Sequence, residues 1–367
     1  MNLKQTLGTF ALALLATAYA KAQQPYAQCI FPADVKTWTP QQDKHAKFNR
    51  SRVKLRTKIK EATPLKANPY QYTEGQVTLE SVTAKMCGQT AAQGFDNFIG
   101  YNPTYWQYVD KFINWGGADD EGIVVMPPAG TIDAAHMNGV KILATIFFQS
   151  TTVGRTGTGI MLEHDGDKYP QAEQLYKIAK YYGFDGFFIN DESFSQSASA
   201  WIPFVKAFYA AAEADGDYTK EIQWYNASSS PYDDMLATNK NTSHFLDYGA
   251  WTYDYSSHAE AIGCTRADLY HKIYNGQECA RAGLLGINSA LNDAYPKSGH
   301  VGSLALFCPE EHTWKDNVRN IFGTDNQRGE VAYEAMRKTY ENERKTWVNV
   351  AGDPSNTTST SWRGFSG

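Results

Sequence analysis

The sequence predicts a (β/α)8 barrel, and three observations predict it. Eight short apolar runs, often β-branched or aromatic at their centres, follow one another between Gly, Asn and Asp punctuation. Helical stretches lie between several of them, the alternation expected of parallel strands with crossover helices. The best-defined run, Gly183 to Ile189, ends abruptly in Asn190-Asp191-Glu192. Parallel barrels present polar groups in this way, at the C-terminal ends of buried strands. An open doubly wound sheet is the alternative; no Gly-x-Gly-x-x-Gly follows the first run, so nucleotide binding is disfavoured.

Taken in order, the chain begins with Lys4, an apolar run from Leu7 to Ala20, and small residues at Ala18, Ala20 and Ala22. That pattern predicts a secretory signal peptide over 1–22 and export to periplasm, cell surface or medium. Residues 23–80, broken by Pro25, Pro32, Pro40, Pro64 and Pro69, read as a lead-in that wraps the barrel. The barrel itself is expected over 81–348. Its strands are expected at Val82–Gln89, Tyr108–Asn114, Val140–Phe148, Phe184–Asn190, Glu221–Asn226, Phe245–Trp251, Tyr270–Asn275 and Gly302–Cys308. Helices are expected at Thr131–Asn138, Tyr169–Tyr182, Ala198–Ala214 and near Asp268–Lys272. The second is the clearest. Ala172, Leu175, Ile178, Ala179 and Tyr182 share one face, and Gly183 follows as a cap, as Gly139 does after the first. A last amphipathic helix, about Gly329–Trp347, precedes a linker and tail over 349–367.

Composition narrows the function. Over 367 residues, 42% hydrophobic and 20% charged are ordinary globular values, and a net charge of −5 without a basic block argues against nucleic acid. The basic patch Lys44–Lys60 is interleaved with apolar residues and belongs to the lead-in. Aromatic residues are 14%, including 23 Tyr and 9 Trp, which suits a site for sugar rings. Five cysteines (29, 87, 264, 279 and 308) show no metal-ligand spacing, and Cys264 with Cys279 is a candidate disulfide. No metal or other cofactor is expected, and the chain is expected to be a monomer.

The ends of the strands carry aromatic, amide and carboxylate groups: Asn114-Trp115, Phe147-Phe148-Gln149, Asn190-Asp191-Glu192, Trp224-Tyr225-Asn226, Tyr248 to Trp251, and Glu310-Glu311-His312. There is no His-Glu-x-x-His zinc site and no Gly-x-Ser-x-Gly nucleophile elbow. Such a rim suits carbohydrate chemistry: aromatic faces stack on sugars, amides bond hydroxyls, and a carboxylic acid protonates the leaving oxygen. Trp115, Phe148, Trp224, Tyr225 and Trp251 are the candidate substrate-binding residues; the alternative for Trp224, Tyr225 and Trp251 is barrel packing. Strand alternation sends Asn190 and Glu192 to one face and Asp191 to the other, where it is expected to cap the following helix. Asp185, which leads the strand, reads as structural. The usual glycosidase needs two carboxyl groups across the bond. Glu192 has an amide for its neighbour, and Glu310 or Glu311 is the alternative second acid. An amide cannot be the nucleophile, but it can hold the 2-acetamido group of an N-acetylglucosamine so that the substrate's own carbonyl oxygen attacks. Glu192 would then be the acid and later the base. Catalysis needs it protonated at first, which apolar neighbours such as Phe188 favour.

The runs Lys47-Phe48-Asn49-Arg50-Ser51, Tyr105 to Asp110, Pro127-Pro128, Ile132 to His136, Gly139 to Thr145, Gly183-Phe184-Asp185-Gly186, Ile189 to Glu192, Gln223-Trp224-Tyr225 and Ala305-Leu306-Phe307 resemble, in that order, glycoside hydrolase family 85. The resemblance covers about 35 to 345. It implies an endo-β-N-acetylglucosaminidase that cuts between the two N-acetylglucosamines of the N-glycan core, retains configuration and often transglycosylates. It also implies that Asn190 and Glu192 are the catalytic pair and that Tyr225 helps hold the reacting acetamide. Asn226 stands where the family usually shows Asp, and Asp247-Tyr248-Gly249-Ala250-Trp251 where it shows Asn-Tyr-Trp-Trp, so glycan preference does not carry over. The fourth-strand run also looks like family 18 chitinases, the alternative activity, but Phe188 and Asn190 replace two of their aspartates. A catalytically inactive glycan-binding barrel is the alternative from another class.

Overall fold

Eight strands pair in parallel and close on themselves. In chain order they are β1 (Val77–Ala84), β2 (Lys111–Gly116), β3 (Lys141–Phe148), β4 (Gly186–Asp191), β5 (Glu221–Asn226), β6 (Thr242–Leu246), β7 (Leu269–Tyr274) and β8 (Ser303–Phe307). Each pairs with the next, and β8 pairs with β1 through Leu304↔Val77 to Phe307↔Glu80, so the ring has no open edge. This computed structural model describes residues 29–57, 77–84, 103, 105–106, 109–116, 124–227, 231–246, 256–264, 268–274, 303–307, 337, 340–341 and 344.

Four helices of more than two turns lie among the described residues: α1 (Ala129–Met137), α2 (Thr152–Met161), α3 (Pro170–Tyr182) and α4 (Ala198–Ala214). The expected face of α3 is buried in full, and Gly183 takes the left-handed conformation at φ 89° that ends the helix. Gly139 does the same after α1, at φ 71°. From α4, Trp201, Phe204, Val205, Phe208 and Tyr209 pack on the outer faces of β3–β5, whose Phe148, Phe187, Ile189, Ile222 and Trp224 alternate with the inward residues. Each such fully buried aromatic contributes about 1.5–3 kcal/mol.

Inside the ring the side chains form tiers. An ionic floor holds Lys111, Glu221 and Ser243, with Lys141 beside it. An apolar tier follows, of Ile113, Leu143, Phe188, Phe245, Tyr270 and Ala305. The rim carries Trp115, Tyr225 and Phe307, packed on that tier from above. On the floor, burial alone would raise the Glu221 carboxyl, yet the ammonium groups of Lys111 and Lys141 win and hold it below the usual range. A cavity of about 430 Å³ opens there, lined among others by Arg56, Lys111, Lys141, Glu221 and Lys240. It lies at the opposite end of the barrel from Asn190 and Glu192.

Several expectations shift. The first strand begins at Val77 rather than at 82, ahead of the expected barrel boundary at 81. The second and sixth strands lie at Lys111–Gly116 and Thr242–Leu246, a few residues from their expected places. The stretch Asp268–Lys272 is not helical: Leu269–Tyr274 is β7, because Leu269 and Tyr270 are buried between neighbouring strands. Helix α2 was not expected. Above Asn114 and Ala144, β2 and β3 part, and Val124–Val125 pairs antiparallel with Ile146 and Thr145 and then with Cys29–Ile30. Cys264 is a free thiol, which rules out its pairing with Cys279, whereas Cys29 is in a disulfide whose partner lies outside the described residues. Residues 337, 340, 341 and 344 are helical, with Arg337 ion-paired to Glu341 and the Tyr340 ring 5.5 Å from that of Tyr105. Residues 1–28, with the expected signal peptide, and the tail 349–367 lie outside the described residues. No described helix is long and apolar enough to cross a membrane.

Candidate active site

Strand β4 delivers the site. It is paired on both edges, to β3 through Leu143↔Gly186 and on to Phe148↔Asp191, and to β5 through Gly186↔Glu221 and on to Ile189↔Trp224. Gly186 permits the close pairing with β5, because a Cβ there would lie 1.8 Å from the Glu221 carbonyl oxygen, and φ is 150°. The Glu192 N–H donates to the Phe148 carbonyl at 2.8 Å, which carries the β3–β4 ladder one residue past the strand. The main chain beneath Glu192 is therefore fixed.

Asn190 is buried and Glu192 half-buried, on the inner face above Phe188. The Asn190 Nδ2 donates to Glu192 Oε1 at a long 3.4 Å. With its nitrogen turned to the carboxylate, the amide leaves Oδ1 buried and without a hydrogen bond. A buried carbonyl left unpaired costs roughly 1–3 kcal/mol, so this atom is an acceptor awaiting a donor. Asp191 faces outward, as alternation requires, but it caps no helix. Its Oδ2 accepts from Trp201 Nε1 at 2.9 Å and its Oδ1 from the Ser193 N–H at 3.0 Å, while the N-cap position of α4 is held by Ser197. The buried Ser193 hydroxyl meets Thr158 Oγ1 of α2 at 3.1 Å and Ser195 Oγ at 2.8 Å. The turn after β4 is thus tied to two helices.

The aromatic candidates divide. Trp115 and Tyr225 are half-buried on the inner face, Tyr225 with its ring 6.4 Å from Phe188. Phe148 and Trp224 point the other way. Both are buried against Trp201, at ring distances of 5.7 Å and 5.9 Å, and neither can meet a sugar in the barrel mouth. Their expected substrate role is corrected accordingly: alternation places Phe147 and Tyr225 inside and their neighbours outside. Phe147, its ring 4.8 Å from Trp115, was missed. Trp251 lies outside the described residues, as do Glu310 and Glu311.

The remaining signature residues meet at the other end of the barrel. Asp185 Oδ2 accepts from the Ile142 N–H at 2.8 Å and lies 2.9 Å from His136 Nε2, while His136 Nδ1 lies 2.6 Å from the Val53 carbonyl. Burial alone would lower the imidazole, but the hydrogen bond and charge of Asp185 prevail and raise its pKa above the ordinary value. Ser51 donates to Asp133 at 2.5 Å and to the Tyr182 carbonyl through its N–H at 2.9 Å. These pieces hold the lead-in to α1, α3 and β4; Asp185 is structural. No cluster of three or more His, Cys, Asp or Glu side chains suited to a metal occurs among the described residues.

Set against known proteins, the profile of glycosyl hydrolase family 85 matches residues 84–367. The chain belongs to that family. Relatives include the cytosolic endo-beta-N-acetylglucosaminidases of mouse, 30% identical over 101 residues, and chicken, 33% identical over 127. These alignments cover 28% and 34% of this chain and 13% and 16% of the relatives, so the chain spans a small part of their length. Among solved structures, the glycoside hydrolase domain of Endo-D from Streptococcus pneumoniae R6 shares the fold at a TM-score of 0.65 and 21% identity. That match covers 93% of this chain and 54% of the other. The relatives' names overturn one expectation. The mouse, Arabidopsis, chicken and human proteins are all called cytosolic, which points to an intracellular location rather than export. That expectation rested on Lys4, the apolar run Leu7–Ala20 and the small residues at Ala18, Ala20 and Ala22.

Proposed function

We propose that this family 85 chain is an endo-β-N-acetylglucosaminidase that hydrolyses the β-1,4 bond between the two core N-acetylglucosamines of N-glycans. One observation carries the mechanism: the buried, unpartnered Oδ1 of Asn190 beside Glu192 on the inner face of β4. A carbonyl oxygen held there suits the N–H of a 2-acetamido group. As the acetamide oxygen attacks the anomeric carbon, positive charge grows on that N–H, and the fixed amide dipole stabilises it. Glu192 gives its proton to the departing oxygen as the anomeric bond breaks, leaving a sugar oxazolinium ion that keeps its N–H on the Asn190 carbonyl. It then takes a proton from water, which attacks the same carbon from the vacated side and reopens the ring. Two inversions give net retention, and a sugar hydroxyl in place of water gives transglycosylation. Tyr225, on the next strand and the same face, is assigned to hold the acetamide, and Trp115 to contact the glycan.

Digestion of a high-mannose glycoprotein followed by mass spectrometry tests this reading. Release of glycans ending in one N-acetylglucosamine is the expected result. No release from any N-glycan class, or cleavage of chitin oligomers alone, would overturn it.

A further inference from the structure

Two residues beyond Glu192 the usual sorting of side chains is inverted. Ser193, small and polar, is fully buried, whereas Phe194, large and apolar, is 79% exposed. Phe194 is also the one non-glycine residue with positive φ among the described residues, at 53°. A bulky aromatic residue seldom adopts that conformation, which persists where the surroundings enforce it. Here they do. Ser193 is held through its N–H to Asp191 and its hydroxyl to Thr158, and the Ser195 N–H donates to Ser193 Oγ at 3.2 Å. With both neighbours pinned, the backbone turns at Phe194 and the side chain is sent to solvent. Its ring makes no contact with another aromatic ring among the described residues, although Trp201, Phe148 and Trp224 lie packed together beneath the same turn.

We propose that Phe194 is the platform for the leaving-group sugar, the N-acetylglucosamine that stays on the protein. This rests on the reading of Glu192 as the acid. An acid protonates the glycosidic oxygen from the side of the departing group, and Phe194 follows Glu192 by two residues in the chain that leaves β4. A flat aromatic face there stacks on the apolar face of a pyranose and gains burial it lacks in the free protein. Strain in the backbone positions the ring before the substrate arrives.

The test compares two substrates for Phe194→Gly, Phe194→Tyr and the unmodified chain: a high-mannose glycoprotein, and the preformed sugar oxazoline, which has no leaving sugar. Phe194→Gly is expected to lower kcat/KM on the glycoprotein about tenfold, through KM, with oxazoline hydrolysis unchanged. Phe194→Tyr should restore the glycoprotein rate. The glycine tolerates positive φ, so the melting temperature should hold or rise. Equal losses on both substrates, or no loss on the glycoprotein, would overturn the proposal and leave the activity of the chain in place. No glycan release by the unmodified chain would overturn both.

Discussion

The indole N–H of Trp201 donates to Asp191 Oδ2 at 2.9 Å, and so a helix on the outside of the barrel holds the residue between Asn190 and Glu192. The carboxylate that alternation turns away from the barrel mouth anchors the two side chains that face it. Replacing Asp191 by Ala leaves the Trp201 donor buried and unpaired. The expected cost is about 1–3 kcal/mol in urea unfolding, with a lower kcat and little change in KM. Asp191→Asn keeps an acceptor and should retain most of both. Equal behaviour of the two variants would contradict the anchoring role.

Asn190→Ala removes the acceptor for the acetamide and should abolish most hydrolysis of the natural glycan, on the order of 10²–10³-fold. The preformed oxazoline should remain a usable donor in this variant, because Glu192 is intact. Glu192→Gln should lose both activities. Near-full glycan hydrolysis by Asn190→Ala would rule out substrate assistance.

Gly186→Ala places a Cβ 1.8 Å from the Glu221 carbonyl in a strand paired on both edges. The variant is expected to lose more than about 3 kcal/mol of stability or to fail to fold. Circular dichroism melts would show it. By contrast, Gly166→Ala has nothing within 4 Å of its added Cβ and meets only the penalty of its positive φ. Its loss should be about 1 kcal/mol.

The His136–Asp185 pair predicts a pH dependence of stability. The folded imidazole has a raised pKa, so its contribution is fully present below the unfolded value near 6.5 and is lost as pH rises through the folded value. The stability gap between the natural chain and His136→Gln, from urea titrations, should therefore be widest below about pH 6.5 and narrow on the alkaline side. A gap that widens with pH would contradict the imidazolium.

Much of the site was legible in the sequence because its signals are periodic. Alternation alone separated Asn190 and Glu192 from Asp191, and the spacing Ala172–Tyr182 with Gly183 gave α3. Where polarity does not alternate, the reading failed. The run Lys141–Phe148 is apolar at almost every position, since both faces of a parallel strand are covered, so nothing told Phe147 from Phe148. Around Trp224 a signal did exist: Gln223 and Tyr225, the polar pair, share the inner face. Helix α2 was hidden by Gly154, Gly157 and Gly159, poor helix formers, of which the fold needs Gly154 small, since a Cβ there would lie 2.0 Å from the Gln149 carbonyl oxygen. The roles of His136 and Asp185, distant in sequence, required the fold.

The tiers inside the barrel have an electrical consequence. Glu221 and Tyr225 are four residues apart on β5, about 13 Å along the strand, and the layer between them sets the buried Gln223 amide among the rings of Phe188 and Phe245, with the Lys272 ammonium of β7 over the Phe307 ring. Lys111, Lys141 and Glu221 largely satisfy one another below it, and the rim opens to water above. The two ends of the barrel therefore differ in the charge they hold. One end carries charges that fix structure, and the other carries Glu192, the acid of the proposed mechanism. Substitutions on the floor therefore act first on the stability of the barrel.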